Sequence, residues 1–262
     1  MKMFRNFKKM AGKKRAALLI LALALAVGVL SVTPAGQAVR AAAIKRDLPI
    51  YCVQKDSNVC SLSFDAAWGN EDTQQLIDIL GKYNIRATFF VVGDWVDKYP
   101  ESVQALHEAG HEIMNHSNTH AHMTELSADQ IIADVNACSD KIEGVTGVRP
   151  ELFRPPYGEY DDKVVSTLRS MGMYTIQWDV DSLDWKDLSA ADITERVTSR
   201  VEPGSIVLFH NAAKNTPEAL PTVIETLIQK GYSFVPISEL ILRDGFDIDH
   251  TGRQVPTGTA AQ

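Results

Sequence analysis

The sequence predicts an α/β fold, a modified or distorted (β/α) barrel of about seven to eight strands. Two observations carry that prediction. Short β-rich runs alternate with segments of helical apolar spacing, and the connections between them are short, which is the signature of repeated βα units around a parallel sheet. Charged and imidazole residues fall where the strand-like runs end, as expected when strand C-termini converge on one mouth.

Taken in order, the strand-like runs are 59–65, 87–92, 111–115, 152–154, 173–178, 205–209 and 233–236. Helical spacing covers 71–83, 101–109, 128–143, 161–171, 190–201 and 217–230. Gly81, Gly110, Gly144, Gly172 and Gly231 stand near the helix stops, and Ser127, Ser189 and Asn215 near the starts as N-caps. Residues 247–262, rich in Thr, Gly and polar side chains, read as a disordered tail.

The N-terminus has a different character. Met1 to Arg15 carries seven Lys and Arg and no acid, and 16–32 is apolar apart from Gly28 and Ser31. Residues 1–43 therefore read as a signal peptide or an N-terminal membrane anchor. Basic residues before the apolar run place the rest of the chain outside the cytoplasm, secreted or anchored to the membrane by this segment. Residues 44–246 then form one α/β domain, a size suited to a single core.

Through Arg40 the leader holds 8 basic residues, so the remainder has 18 basic against 33 acidic residues, a net charge of −15. That balance excludes a nucleic-acid partner. Cys52, Cys60 and Cys138 give an odd count in a compartment that permits disulfides. Cys52 and Cys60 either close a short loop or remain buried thiols.

The strand ends deliver Asp65, His116 with His120, Arg154, Asp181 with Asp184, and His210. His116 and His120 are four residues apart, which on a helical turn puts both imidazoles on one face, within reach of one metal ion. The flanking His107, His111 and His122 leave an array of surface histidines as the alternative. Asp65 ends the apolar run 62–64, where burying an acid is costly unless it meets a polar site or a charged partner. Arg154 leads into Pro155 and Pro156, a rigid turn suited to aiming a guanidinium at a carboxylate, either in a site or in a structural ion pair. His210 closes the strand 206–209 and is a general-acid candidate, with Asp184 as its carboxylate and Asp181 as competitor.

These residues resemble the polysaccharide deacetylases, the NodB-homology group also called carbohydrate esterase family 4. The resemblance covers about residues 58 to 240 in five ordered motifs: Phe64-Asp65, His116 through His120, Arg154 through Tyr157, Asp181 through Trp185, and Leu208 through His210. It implies the NodB-type barrel and removal of N-acetyl groups from peptidoglycan or a related N-acetylglucosamine-containing glycan, a cell-wall or other N-acetylated partner. It further implies a divalent metal, zinc or cobalt, on His116 and His120, which activates the attacking water. Asp65 would be the general base, His210 the general acid, Asp184 its tuner and Arg154 the holder of carboxylates. Tyr157, Trp185 and Leu208 would line the sugar and acetyl pocket, with the backbone N–H near Tyr157 a second oxyanion donor.

One departure matters. Members of the family usually have a second aspartate directly after the first, a metal ligand, whereas this chain reads Asp65-Ala66. An extra water, Asp65 itself, or one of Asn70, Glu71 and Asp72 would have to complete the coordination. The run Phe64 through Asn70, with Ala66, Ala67, Trp68 and Gly69, resembles a sporulation-associated bacterial branch. The alternatives are a catalytically silent glycan-binding or sporulation-structural protein, and a barrel hydrolase of small acyl or cyclic amides.

Overall fold

The computed structural model describes residues 46–258. The leader 1–43 lies outside them; among the described residues no helix is long and apolar enough to cross a membrane.

The strands are β1 (Cys52–Val53), β2 (Val59–Ala66), β3 (Thr88–Val91), β4 (Glu112–Asn115), β5 (Leu152–Phe153), β6 (Tyr174–Thr175), β7 (Val180–Asp181), β8 (Ile206–His210), β9 (Ser233–Phe234), β10 (Phe246–Ile248) and β11 (Arg253–Pro256). The helices are α1 (Thr73–Lys82), α2 (Gly93–Lys98), α3 (Pro100–Glu108), α4 (Ala128–Thr146), α5 (Asp162–Ser170), α6 (Ala190–Thr198), α7 (Thr216–Gln229) and α8 (Ile237–Leu240). Seven strands lie in the order β6-β5-β4-β3-β2-β8-β7, with β9 paired to the start of β2. All of these pairings are parallel. Before β2, Ile50 bridges Ile176 and Cys52 bridges Ser205, so this segment spans from beside β6 to the foot of β8 and helps close the distorted (β/α) barrel.

Alternation along β2 explains its place at the centre. Leu62, Phe64 and Ala66 pack outward with Leu76 and Leu80 of α1 and Val223 and Ile224 of α7. Ser61, Ser63 and Asp65 occupy the other face of the strand. The second core, with Phe90, Met114, Leu152, Ile176 and Ile206, is completed by Ile237 and Leu240 of α8. Because the sheet is parallel, its strand C-termini open on one side, and this is where the chemistry-bearing residues gather.

Caps match the sequence at two of three expected positions. Ser127 and Gln130 form a reciprocal capping box, and the Ser189 side chain accepts from Asp192 N. Asn215 precedes α7 but its side chain donates to Leu188 O instead. The helix expected to stop at Gly144 runs on to Thr146, and Gly147, at φ 73°, supplies the left-handed turn that ends it.

Two further features correct the sequence reading, and a third decides between the two alternatives it left open for the cysteines. Residues 247–258 are not a disordered tail: β10 and β11 pair antiparallel, and β11 pairs with β1. The polar composition concealed a buried anchor, Gln254, whose side chain accepts from Leu242 N (2.8 Å) and donates to Leu242 O (3.0 Å). Cys52, Cys60 and Cys138 are free and buried, with no Cys52–Cys60 bond. Burial pushes each of these thiols up to about 12. Finally, α2 went unrecognised because its six residues are too few to display a helical period.

Candidate active site

Strand register alone brings the acid and base candidates together. Asp65 of β2 is the pairing partner of His210 of β8, so both side chains stand on the same face of the sheet. Next to them β4 and β5 end in register, with Asn115 opposite Phe153. The next residues along each strand, His116 and Arg154, are cross-linked by the chain itself: Arg154 N donates to Asn115 O (3.0 Å), and His116 Nδ1 lies 2.7 Å from Arg154 O.

Arg154 is fully buried and fills the space beneath the mouth. Its Nη1 donates to Asp65 Oδ1 at 2.7 Å, and its Nη2 donates to Ser63 Oγ at 2.9 Å and to Gln177 O at 3.3 Å. The guanidinium lies 4.1 Å from the Phe90 ring centroid. Burial pulls its pKa down while Asp65 pulls it up; the net direction is down, yet so high a starting value leaves it charged. At Asp65, burial opposes ionisation, but the charge and hydrogen bond of Arg154 outweigh it and hold the carboxyl below the usual range. Asp65 is thus a carboxylate gripped at Oδ1, with Oδ2 turned towards His116.

His116 and His120 do meet, with ring centroids 5.0 Å apart, but not on a helical turn. Residues 116–120 form an irregular loop with Ser117 at φ 66° and His120 at φ 56°. The loop is held by Asn115 Oδ1 accepting from Ser117 N (2.9 Å) and Asp134 Oδ1 accepting from Asn118 N (2.9 Å). The two rings come together, but for a different geometric reason than a helical spacing. Burial keeps both imidazoles neutral at neutral pH, lowering His116 and taking His120 to about 4.

These features bear on whether the residues suit a metal. With its Nδ1 proton given to Arg154 O, His116 presents a bare Nε2, and Asp65 Oδ2 stands 3.5 Å away with no proton between them. Nδ1 of His120 is buried and lacks a hydrogen-bond partner. The two imidazoles fit a divalent ion as a pair of ligands. Among the described residues, however, no group of three or more His, Cys, Asp or Glu forms a metal cluster. Ala66 is a buried methyl, Asn70 donates to Ser102 Oγ (3.0 Å), and Asp72 Oδ2 accepts from Ala212 N (2.9 Å). Asp72 Oδ1 is buried without a hydrogen-bond partner, yet neither Glu71 nor Asp72 is gathered with the two histidines into a cluster of three among the described residues.

Asp184, not Asp181, faces His210. Asp184 is 1 % exposed. Its Oδ1 lies 2.8 Å from His210 Nδ1 and accepts from Trp185 N (2.9 Å), while Oδ2 accepts from His210 N (2.8 Å) and Thr216 Oγ1 (2.7 Å). Asp181 instead closes its own turn, accepting from Leu183 N. At His210 burial disfavours the charge, but the hydrogen bond and charge of Asp184 prevail, and the imidazole pKa is raised above its ordinary value. His210 Nε2 is left free for chemistry.

The expected sugar-contacting residues divide. Tyr157 and Trp185 are 56 % and 57 % exposed, and Tyr157, at φ 59°, packs its ring on His120 and His122 with centroids 4.4 Å away in each case. Leu208 is buried, two residues below His210 on the same face, and belongs to the floor of the mouth. Ser63, Thr216 and Asn211 were not anticipated. Ser63 had a readable signal, a polar residue in phase with Asp65 on a buried strand; Thr216 had none, because only the fold brings α7 to Asp184.

Comparison with known proteins bears on this constellation. The polysaccharide deacetylase family model matches residues 53–176. The chain is 31 % identical over 184 residues to the peptidoglycan-N-acetylmuramic acid deacetylase PdaA of Bacillus subtilis, with 69 % of this chain and 70 % of PdaA covered. This chain belongs to the polysaccharide deacetylase family. The B. subtilis peptidoglycan-N-acetylmuramic acid deacetylase PdaC is 36 % identical over 188 residues, spanning 72 % of this deacetylase-family chain but 40 % of PdaC. Among solved structures, a wild-type family 4 carbohydrate esterase pseudoenzyme from Bacillus anthracis matches at TM-score 0.71 and 36 % identity, covering 73 % of this chain and 68 % of that one. A mutant of that pseudoenzyme, described as having restored enzymatic activity, matches at 38 % identity and the same TM-score.

Proposed function

We propose that this polysaccharide deacetylase homologue is a metal-dependent hydrolase that removes N-acetyl groups from peptidoglycan or a related N-acetylglucosamine-containing glycan outside the cytoplasm. The observation that carries the reading is the pairing of an ionised, Arg154-held Asp65 with a protonatable, Asp184-held His210 across adjacent strands.

The residues divide the reaction between them. His116 and His120 would hold the ion, which when bound supplies Lewis acidity and an acidified water. Asp65 stays ionised because Arg154 neutralises its burial, so Oδ2 can take the proton of the attacking water. His210 carries a proton on Nε2 while Asp184 accepts the one on Nδ1, and Nε2 can deliver its proton to the departing nitrogen. Base and acid are thus separate groups with environments that push their pKa values apart. Tyr157 and Trp185 offer exposed aromatic faces for the sugar, with Leu208 beneath them.

A second reading has its own support. The buried Ala66 stands where the family usually carries a metal-ligating acid, and a pseudoenzyme is among the similar structures. On that reading the protein binds glycan and turns nothing over. Glycan binding and acetate release measured side by side for the wild type and Asp65→Asn separate the two. Hydrolysis predicts release that vanishes in the variant while binding persists; binding without release in the wild type supports the silent protein.

A further inference from the structure

The two imidazoles of the candidate metal pair are oriented by different means. His116 is fixed by its Nδ1, which lies 2.7 Å from Arg154 O. Nδ1 of His120 is buried and lacks such a partner, so no hydrogen bond there sets the ring. Packing does so instead: the His120 ring lies 4.4 Å from Tyr157, 5.0 Å from His116 and 5.8 Å from Trp68, centroid to centroid. Tyr157 is the nearest of the three and meets His120 edge to face, at 73°.

Tyr157 is in turn held from its backbone and from its ring. Its φ of 59° is left-handed, a conformation that a tyrosine adopts only where its surroundings impose it. The turn imposes it through Gly158 N, which donates to Pro155 O (3.1 Å), and Glu159 N, which donates to Pro156 O (3.1 Å). Beneath the turn, Gly158 O accepts from Nε2 of the buried Gln177 (2.9 Å). The ring is held by His122, which stacks on it at an interplanar angle of 11° and a centroid distance of 4.4 Å. His122 Nδ1 lies 2.8 Å from Glu159 Oε2, and the next residue along the chain, Met123, is fully buried. The stack is thus anchored both to the histidine loop and to the turn that carries Tyr157.

We propose that His122 and Glu159 are positioning residues which, through the Tyr157 ring, set the orientation of His120. Packing then does for His120 what a hydrogen bond does for His116. An imidazole with neither support rotates broadly about its Cβ–Cγ bond, and the freedom lost when an ion fixes it weakens binding. The proposal rests on the metal reading above and concerns the residues behind the ligand pair.

The test is a calorimetric titration of the full-length protein with zinc, together with the visible absorption bands of the protein loaded with cobalt. His122→Ala should raise the zinc Kd about tenfold or more, the scale on which groups that orient a ligating histidine act, and should shift the cobalt bands. Glu159→Ala should move both readings in the same direction. His122→Phe keeps a ring on Tyr157 without a nitrogen and should retain most of the affinity. The side chains of His122 and Glu159 are 48 % and 44 % exposed, and thermal unfolding scans of the metal-free variants confirm that they fold. An unchanged Kd in either alanine variant overturns the brace and leaves the metal reading standing. Equal losses in His122→Ala and His122→Phe make His122 a ligand and overturn it as well. Wild-type protein that binds neither ion overturns both readings.

Discussion

Replacing Asp184 with Asn tests the acid half of the site with little change of shape. The carboxylate accepts four hydrogen bonds, from His210 Nδ1, His210 N, Trp185 N and Thr216 Oγ1. An amide has one acceptor oxygen, so in either orientation its NH2 faces a backbone N–H, of Trp185 or of His210. Leaving such a buried donor unsatisfied costs about 1–3 kcal/mol. The imidazolium also loses its counter-charge, worth about 1.5–3 kcal/mol for a hydrogen bond to a charged group; the imidazole is partly open to water, which puts the effect at the low end. With the hydrogen bond and charge of Asp184 gone, only the charges of Asp65 and Asp181 still oppose burial, and the His210 pKa should fall. Its raised value means the pair's stabilisation is complete below the unfolded-state pKa and fades as pH rises through the folded one. The alkaline limb of acetate release should therefore move to lower pH in Asp184→Asn, with a rate loss on the order of 10²–10⁴. NMR titration of the imidazole reads the same shift without turnover. An unmoved titration together with unchanged stability would refute the reasoning.

Three other outcomes rest on buried contacts. Arg154→Met should leave Asp65 as an uncompensated buried charge and cost about 3–5 kcal/mol in chemical denaturation, with the loss shrinking at low pH as Asp65 protonates. Gln254→Ala should unpair both backbone groups of Leu242 and cost on the order of 2 kcal/mol, detected as a lower unfolding midpoint, whereas a disordered tail would give no change. Gly204→Ala should reduce stability by more than about 2 kcal/mol, because φ is 86° and an added Cβ would sit 1.7 Å from the Val53 carbonyl oxygen; a fully stable variant would contradict the placement of β1.

Legibility in the sequence depends on where each interaction is encoded. Asp65, Arg154 and His210 were legible because each ends an apolar run, and a parallel sheet collects such ends. Asp184 was preferred to Asp181 without a decisive local reason; the distinction lies in the turn after β7, where Asp181 satisfies Leu183 N and frees Asp184 to reach His210. The histidine pair was found through a helical spacing that the chain does not adopt, since two residues at positive φ achieve the same proximity. The terminal hairpin stayed hidden because its stability comes from pairing with β1, about 200 residues earlier, and from one buried glutamine. Thr216 and Asn211 depend on tertiary approach and have no local signature.

The most direct test of the account is acetate release from N-acetylated peptidoglycan by the full-length protein, measured with added zinc or cobalt, after chelation, and after the metal is returned. The account predicts release that stops on chelation, resumes with metal and is absent in Asp65→Asn. Folded, metal-supplied protein that binds the glycan and releases no acetate would contradict it.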